Sequence, residues 1–388
     1  MQVLKDLSLP AVVAGFVTVL VGFTSSAVIV FQGAQALGAN QAQIASWMWA
    51  LGLGMGLTCI ALSLRYRVPV VTAWSTPGAA MLITGAAGVA LDQAIGAFIV
   101  SAILISLAGF TGLFERAMDR IPISLASGML SGVLLRFGTD VFVAMKTQFG
   151  MTMAMFVTYL LMRRLLPRYA VVVTLALGTV IALASGLLQL QAVQLEVARP
   201  VWVSPSFSVS ALMSIALPLF IVTMASQNVP GVAVLKSSGY EVPVSPVIGW
   251  TGITNLLLAP FGAFALNLAA ITAAICMGRE AHEDPSRRYV ASVAAGVFYC
   301  LIGLFGATVA ALFGALPKEL VLVIAGLALL GTIGNGLATA LANPDEREPA
   351  LITFLLTASG VSLFGIGSAF WGLAGGILAT IVLRRRAA

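Results

Sequence analysis

The chain has 388 residues, of which 60% are apolar and only 9% are charged, and its mean hydropathy is +1.05. This composition excludes a soluble globular protein, and no polar interval is long enough to fold separately. The net charge of +6 arises from basic residues at the ends of apolar segments. Such residues contact anionic lipid headgroups and do not indicate a nucleic-acid partner. We therefore expect one integral membrane domain over residues 1–388.

Polar residues, prolines and glycines separate fourteen apolar segments, most of which approach the roughly 20 residues that cross a bilayer. Fourteen spans place both termini on one side, together with 16 of the 20 Lys and Arg residues, against three on the other side. The positive-inside rule then makes both termini cytoplasmic. The predicted segments are 10–32, 42–64, 70–88, 92–114, 121–144, 148–166, 170–188, 210–235, 244–264, 267–278, 288–314, 317–341, 347–366 and 369–384.

The third segment is interrupted in its middle. Residues 68–81 hold two prolines and several β-branched residues, which favour extended backbone in the first half. Ser75 or Thr76 is suited to cap a following helix, with Pro77 and Gly78 in its first turn. Irregular backbone is stable at membrane depth only where protein or a polar cavity covers it. We predict a short strand followed by a half-helix whose N–H groups point into the protein.

The tenth segment repeats this plan in residues 264–272, with Asn267 as the capping candidate. Two half-helix N-termini that meet near the midplane would bind an anion without a lysine or arginine. The alternative is a structural kink that neighbouring helices seal. The substrate-binding residues predicted from the two broken segments are Trp74, Ser75, Thr76, Pro77, Gly78, Asn267, Leu268 and Ala269.

Unusual elements at positions three and ten suggest two repeats of seven segments, at 1–190 and 205–388. An odd number of segments per repeat inverts the second repeat in the membrane, which is typical of transporters. Pro122 and Pro317, which open segments five and twelve, are 195 positions apart, and Trp74 and Leu268 are 194 apart. The agreement between the two offsets favours the inverted repeat.

The first and eighth segments supply candidate walls for the site. Hydroxyl and aromatic groups occur on the first, and two adjacent amides precede a Pro-Gly break on the eighth. Serines in membrane helices often form hydrogen bonds to their own backbone, so a packing role is the alternative to substrate binding for the serines. The same alternative applies less strongly to the two amides. The candidates are Phe23, Ser25, Ser26, Phe31, Gln227 and Asn228.

Few residues suggest other chemistry. Asp140 is a weak candidate for proton coupling, because Arg136 lies four positions earlier and pairing on one helix face is the simpler interpretation. Three cysteines without CxxC spacing predict neither a disulfide nor a metal site. The motifs of hydrolases, metalloproteases and nucleotide-binding enzymes are missing, so we expect neither enzyme activity nor a cofactor.

The runs 72–81 and 264–278, together with the loop 280–289 that holds His282 and Arg288, resemble the BenE family of benzoate transporters. The resemblance covers the whole chain. It implies an all-α membrane fold similar to the uracil/xanthine permeases and the sulfate and bicarbonate transporters, with fourteen segments in a 7+7 inverted repeat. It also implies a core domain at about 10–114 and 210–314, and a gate domain at about 121–188 and 317–384.

The implied activity is uptake of benzoate or a related aromatic carboxylate with protons, by movement of the core against the gate, in the bacterial inner membrane. Nucleobase permeases of this fold carry a carboxylate on the eighth span, where this chain has Gln227 and Asn228. The change suits a monoanion and leaves the proton carrier unidentified. Alternatives are the same fold with a nucleobase or inorganic anion as substrate, and an anion channel. The oligomeric state stays open, with a homodimer as one option.

Overall fold

The computed structural model describes residues 6–85, 88–112, 122–166, 169–188, 193–270, 272–279, 281–361, 363 and 368–383, with backbone alone at 24, 25, 85, 233, 236, 237, 328 and 332. Within them the regular secondary structure is helical apart from two short strands, β1 (Thr72–Trp74) and β2 (Leu266–Leu268). Helix α8 consists of the successive pieces Val209–Ala211, Leu212–Ala216, Leu217–Thr223, Met224–Asn228 and Val229–Ser237, of which the second and fourth are π-helical. The other helices are α1 (Leu9–Ala36), α2 (Gln41–Tyr66), α3 (Thr76–Gly85), α4 (Leu91–Phe110), α5 (Ile123–Val143), α6 (Phe149–Leu165), α7 (Ala170–Ala184), α9 (Val244–Leu258), α10 (Ala273–Met277), α11 (Tyr289–Leu304), α12 (Gly306–Ala315), α13 (Lys318–Ala340), α14 (Arg347–Ala358) and α15 (Ser368–Leu383).

Local sequence explains where the first two helices begin. Ser8 accepts a hydrogen bond from the Ala11 N–H, and a proline in the first turn suits the start of α1. Asn40 and Gln43 form a reciprocal capping box at the start of α2, with N···O distances of 2.8 and 2.9 Å. Polar side chains thus satisfy donors that hydrocarbon would leave unpaired.

The helices make this a multi-pass membrane protein, but the count of fourteen spans is not confirmed. In the described part of the chain, seven helices are long and apolar enough to cross a bilayer, and α1, which bends by 42° near its middle, would make eight. Predicted segment eleven is divided into α11 and α12. Several other predicted spans are short helices, since α6, α7, α14 and α15 have 17, 15, 12 and 16 residues.

Both broken segments contain a strand followed by a helix, and the two strands pair with each other. The ladder is antiparallel, with Ala73 opposite Asn267 at its centre, and the Ala269 N–H extends it by donating to Val71 O at 2.9 Å. One prediction about this region is wrong: Asn267 lies inside β2 and does not cap a helix, because α10 begins only at Ala273.

Small residues allow close contact between the main helix pairs. Gly52 of α2 lies against Gly303 of α11, and Gly109 of α4 lies against Gly249 of α9, in each case with backbone atoms where a Cβ would stand. Close approach of backbones is the usual basis of helix association in membranes. These two pairs flank the ladder, since α2 and α9 both contact β2.

Candidate binding site at the paired strands

Side chains of α2 cover the outer edge of β1. The Thr72 N–H lies 3.2 Å from Cys59 Sγ, and the Thr72 hydroxyl lies 2.6 Å from that of Thr58 and donates to Met55 O at 3.1 Å. Thr72 is fully buried. The irregular backbone is therefore covered by protein on this side, as membrane burial requires.

Ser75 caps α3, as one of the two predicted capping residues. Its Oγ accepts from the Gly78 N–H at 3.1 Å, and its carbonyl accepts from the Ala79 N–H at 2.9 Å. Pro77 has no N–H, so the donor left at this helix terminus is the N–H of Thr76. Thr76 is half-buried, whereas its neighbours Ser75, Pro77 and Gly78 are buried. The positive end of the helix dipole therefore lies at Thr76, where a helix N-terminus can bind an anion.

Gly78 leaves room for the side chains of Leu219 and Ser75 at the start of α3. A Cβ there would stand 2.5 Å from Leu219 Cδ1 and 3.0 Å from the capping Ser75 Oγ. A larger residue would require the end of the Leu219 side chain to move and would crowd the capping Ser75 Oγ.

Aromatic rings from α1, β1 and α12 form one group beside the cap. The Trp74 Nε1–H donates to Ser26 Oγ at 2.8 Å, and the Trp74 ring centroid lies 5.2 Å from that of Phe23. Phe313 lies 6.4 Å from Phe23 and 6.5 Å from Phe31, between ring centroids. The structure thus brings the predicted aromatic residues together and adds Phe313, which no local motif marks. The side chain of Ser25 lies outside the described part of the chain.

The two adjacent amides of α8 have different environments. Asn228 is fully buried, its Oδ1 accepts from the Leu268 N–H at 2.9 Å, and its Nδ2 lies 3.2 Å from Met224 Sδ. Gln227 is half-buried, and no hydrogen bond is described for its side chain. Asn228 therefore holds β2 against the π turn of α8, while Gln227 has its amide available.

Asn267 has an acceptor without a donor. The residue is fully buried, its Nδ2–H donates to Ala265 O at 3.0 Å, and no described group donates to its Oδ1. The amide orientation follows from this contact, because a carbonyl oxygen only accepts and the NH₂ group must face it. An unpaired buried acceptor costs about 1–3 kcal/mol, so this oxygen needs an explanation.

The second half-helix is weaker than the first. α10 has five residues against ten in α3, so its dipole is smaller. At its N-terminus the Thr272 carbonyl accepts from the Thr18 hydroxyl at 3.3 Å. At its C-terminus the buried Arg288 donates to Met277 O at 2.8 Å and to His282 O at 2.7 Å. A cation at this end stabilises the short helix.

The elements that meet at the ladder carry no charge in their interior. Helices α1, α3 and α10, both strands and positions 209–235 contain no Asp, Glu, His, Lys or Arg. The structure places Asp140 on α5, where its Oδ2 lies 3.9 Å from Arg136 Nε. Among the described residues, no group of three or more His, Cys, Asp or Glu could hold a metal ion. The site thus offers backbone, hydroxyl, amide and aromatic groups.

Solved structures of membrane transporters share this fold. SLC26A9 superimposes with a TM-score of 0.61 at 13% identity, covering 95% of this chain and 65% of its own. The transmembrane domain of the cyanobacterial bicarbonate transporter BicA superimposes with a TM-score of 0.58 at 14% identity, and the match covers 97% of this chain and 96% of that domain. At these identities the similarity shows the fold alone.

Sequence comparison gives closer relatives. The inner membrane protein YdcO of Escherichia coli K12 is 50% identical over 374 residues, or 96% of each chain. The benzoate membrane transport protein of Acinetobacter baylyi is 41% identical over 379 residues, or 98% of this chain and 96% of the relative. The family model of the benzoate membrane transport protein matches residues 5–382. The chain therefore belongs to the BenE family, whose members are membrane transporters and not enzymes.

Proposed function

We propose that this protein is a secondary active transporter that takes up benzoate, or a related aromatic carboxylate, with protons across the bacterial inner membrane. The observation that carries the proposal is the contact between the capped N-terminus of α3 and a group of aromatic rings, through Trp74 and Ser75. A helix N-terminus suits a carboxyl group, and aromatic rings suit a phenyl ring. Membership of the family and the Acinetobacter baylyi relative support the same substrate class, and the Escherichia coli relative supports the inner membrane as the location.

In the proposed complex the carboxyl group accepts a hydrogen bond from the Thr76 N–H. The phenyl ring packs against Phe23, Phe31 or Trp74. Gln227 orients the carboxyl group from α8, while Leu268 and Ala269 form the floor opposite α3. The half-buried state of Thr76, the one accessible residue in the run 74–80, supports this arrangement, and Gln227 is half-buried as well.

Two inverted repeats of seven segments remain our proposal for the architecture. Helix contacts support it, because contacts within the structure recur when one repeat is exchanged for the other. The contact of α2 with α11 corresponds to that of α9 with α4, and the contact of α6 with α7 corresponds to that of α14 with α15. The central ladder pair, Ala73 and Asn267, is also separated by 194 positions, the offset that the sequence suggests. In this proposal the core contains the ladder and moves against a gate built on α5 and α13.

Charge favours proton coupling. Moving a monoanion into a cell with a negative interior costs about 2.3 kcal/mol per 100 mV of membrane potential. One proton that enters with the anion cancels its charge and removes this electrical cost. Cytoplasmic termini, as the basic residues predict, place the loop of Arg288 on the inner side.

Purified protein in liposomes tests the proposal, with protein-free liposomes as the control for passive leak of benzoic acid. We expect saturable benzoate uptake that an inward acid gradient stimulates, and competition by substituted benzoates but not by uracil or sulfate. Uptake blocked by uracil or sulfate alone would assign the fold another substrate. Conductance without saturation would indicate a channel.

A further inference from the structure

The proposed uptake requires a proton carrier, and the elements around the ladder contain no carboxylate or imidazole. The elements packed against β2 include β1, α2, α9 and α8, the last through its second π turn and Gly231. Their titratable residues are Cys59, Arg65 and Tyr66, all on α2, and Lys236 follows near the end of α8. On α10 and α11, Cys276 and Tyr299 lie near α1. Thiols, phenols and cations do not exchange a proton with a carboxylic acid near neutral pH.

We propose, resting on the function above, that the proton travels on the substrate: the site binds the uncharged carboxylic acid, and Asn267 Oδ1 accepts its O–H. The buried Oδ1 has no donor among the described residues, and Ala265 O fixes its identity as an acceptor. A carboxylate has no hydrogen to donate to it, whereas a carboxylic acid has one.

The segment that follows β1 supplies the hydrogen-bond donor in this proposal, the Thr76 N–H. Ala73 lies directly opposite Asn267, so both side chains share one face of the ladder, and Ala73 is half-buried on that face. Three residues after Ala73, the Thr76 N–H begins α3. In the proposed complex the Thr76 N–H and Asn267 Oδ1 bind the C=O and the O–H of one carboxylic acid. Against a carboxylate, the same pair gives one favourable and one repulsive contact.

The transport step balances without a protein proton carrier. Outside, benzoate and one proton combine in solution to form the O–H bond of benzoic acid. The acid crosses as an uncharged molecule held at Thr76 and Asn267. Inside, the O–H bond breaks in solution and releases one benzoate and one proton. One proton therefore enters per benzoate, and no net charge moves.

The pH dependence of equilibrium binding tests the proposal on the full chain in detergent micelles. Between about pH 5.5 and 8 the fraction of benzoic acid falls about tenfold per pH unit, since its carboxyl group titrates well below this range. We expect the apparent Kd for total benzoate to rise by the same factor, with uptake of one proton per bound ligand. A Kd that is constant over this range, without proton uptake, would overturn the proposal while leaving benzoate as the substrate. Absence of benzoate binding at every pH would instead contradict the proposed function.

Benzamide provides a test without mutation, because it resembles benzoic acid, donates N–H, accepts at its carbonyl and has no charge across this range. We expect benzamide to compete with benzoate and to bind with a Kd independent of pH. Methyl benzoate, which has no donor, should bind at least tenfold more weakly. Equal binding of the ester and the amide would contradict a role for Asn267 Oδ1.

Asn267→Leu removes the acceptor and keeps the size. We expect it to weaken benzamide binding about tenfold and to flatten the pH dependence of the benzoate Kd. Asn255→Leu is the matched control, because Asn255 is equally buried and also lacks a described partner, but lies on α9, whose Gly252 packs against Ser106 of α4. If both variants keep the pH dependence of the unmodified chain, Asn267 is not the acceptor.

Discussion

At the scale of single residues, two identical functional groups have separate roles because of one hydrogen bond. The Asn228 amide oxygen accepts from the Leu268 N–H, and no described residue forms such a bond with the adjacent Gln227. The first therefore contributes to stability, and in our proposal the second contacts the substrate.

Alanine substitution of each amide tests this division. Asn228→Ala leaves the Leu268 N–H unpaired in a buried place, so we expect a loss of about 1–3 kcal/mol in the free energy of unfolding and a lower Tm in detergent. Gln227→Ala should leave the Tm unchanged and weaken benzoate binding by a factor of roughly 2 to 12, equivalent to about 0.5–1.5 kcal/mol. The same Tm loss in both variants would show that the two amides do not differ.

Sequence reasoning located most of these residues but not their contacts. A cap at Ser75 or Thr76 was predictable, because a hydroxyl residue just before Pro77-Gly78 suits a helix N-terminus, and contacts were needed to choose Ser75. The orphan oxygen of Asn267 was not, since it depends on Ala265, whose φ of 44° no local rule assigns to alanine. Phe313 is one of twenty phenylalanines and approaches the site only through the packing of α12.

At the scale of elements, glycine sets the distance between α8 and β2. A Cβ on Gly231 would stand 2.5 Å from Leu268 Cβ and 3.1 Å from Leu268 O. Neither atom belongs to the free end of a long side chain, so the strand itself would have to move.

Gly231→Ala should therefore displace β2 and weaken benzoate binding at least tenfold, and overpacking should lower the free energy of unfolding by about 1–3 kcal/mol and with it the Tm. Gly334→Ala on α13 is the control, since nothing lies within 4 Å of its Cβ position and alanine favours helix. Isothermal titration calorimetry and thermal unfolding measure the two effects. Unchanged benzoate binding in Gly231→Ala would show that β2 is not part of the site.

The interrupted third and tenth segments were visible in the sequence because proline and polar residues are rare at membrane depth. The antiparallel pairing between them was not, because it joins residues nearly two hundred positions apart. The late start of α10 at Ala273 also escaped prediction, since a run of small residues favours no particular first turn.

At the scale of the whole molecule, the basic residues predict a topology that cysteine labelling can test. Lys146 and Glu283 are both exposed, and the charge distribution places them on opposite sides of the membrane. In intact cells, a membrane-impermeant maleimide should label Lys146→Cys, but Glu283→Cys only after permeabilisation. The unmodified chain, whose Cys59 and Cys276 are buried and Cys300 partly so, gives the background. Labelling of both variants in intact cells would contradict the predicted orientation.

The β1–β2 ladder has a consequence for biosynthesis. Its central residues, Ala73 and Asn267, are 194 positions apart, and a ribosome adds about 5–20 residues per second. For about 10 to 40 s the first strand is in the membrane before its partner exists. During that interval the inner edge of β1 needs water or another protein to satisfy its backbone, because hydrocarbon offers no hydrogen bonds. The proposed binding site is therefore completed only after the tenth segment is inserted, and a chain truncated before it would leave this edge exposed.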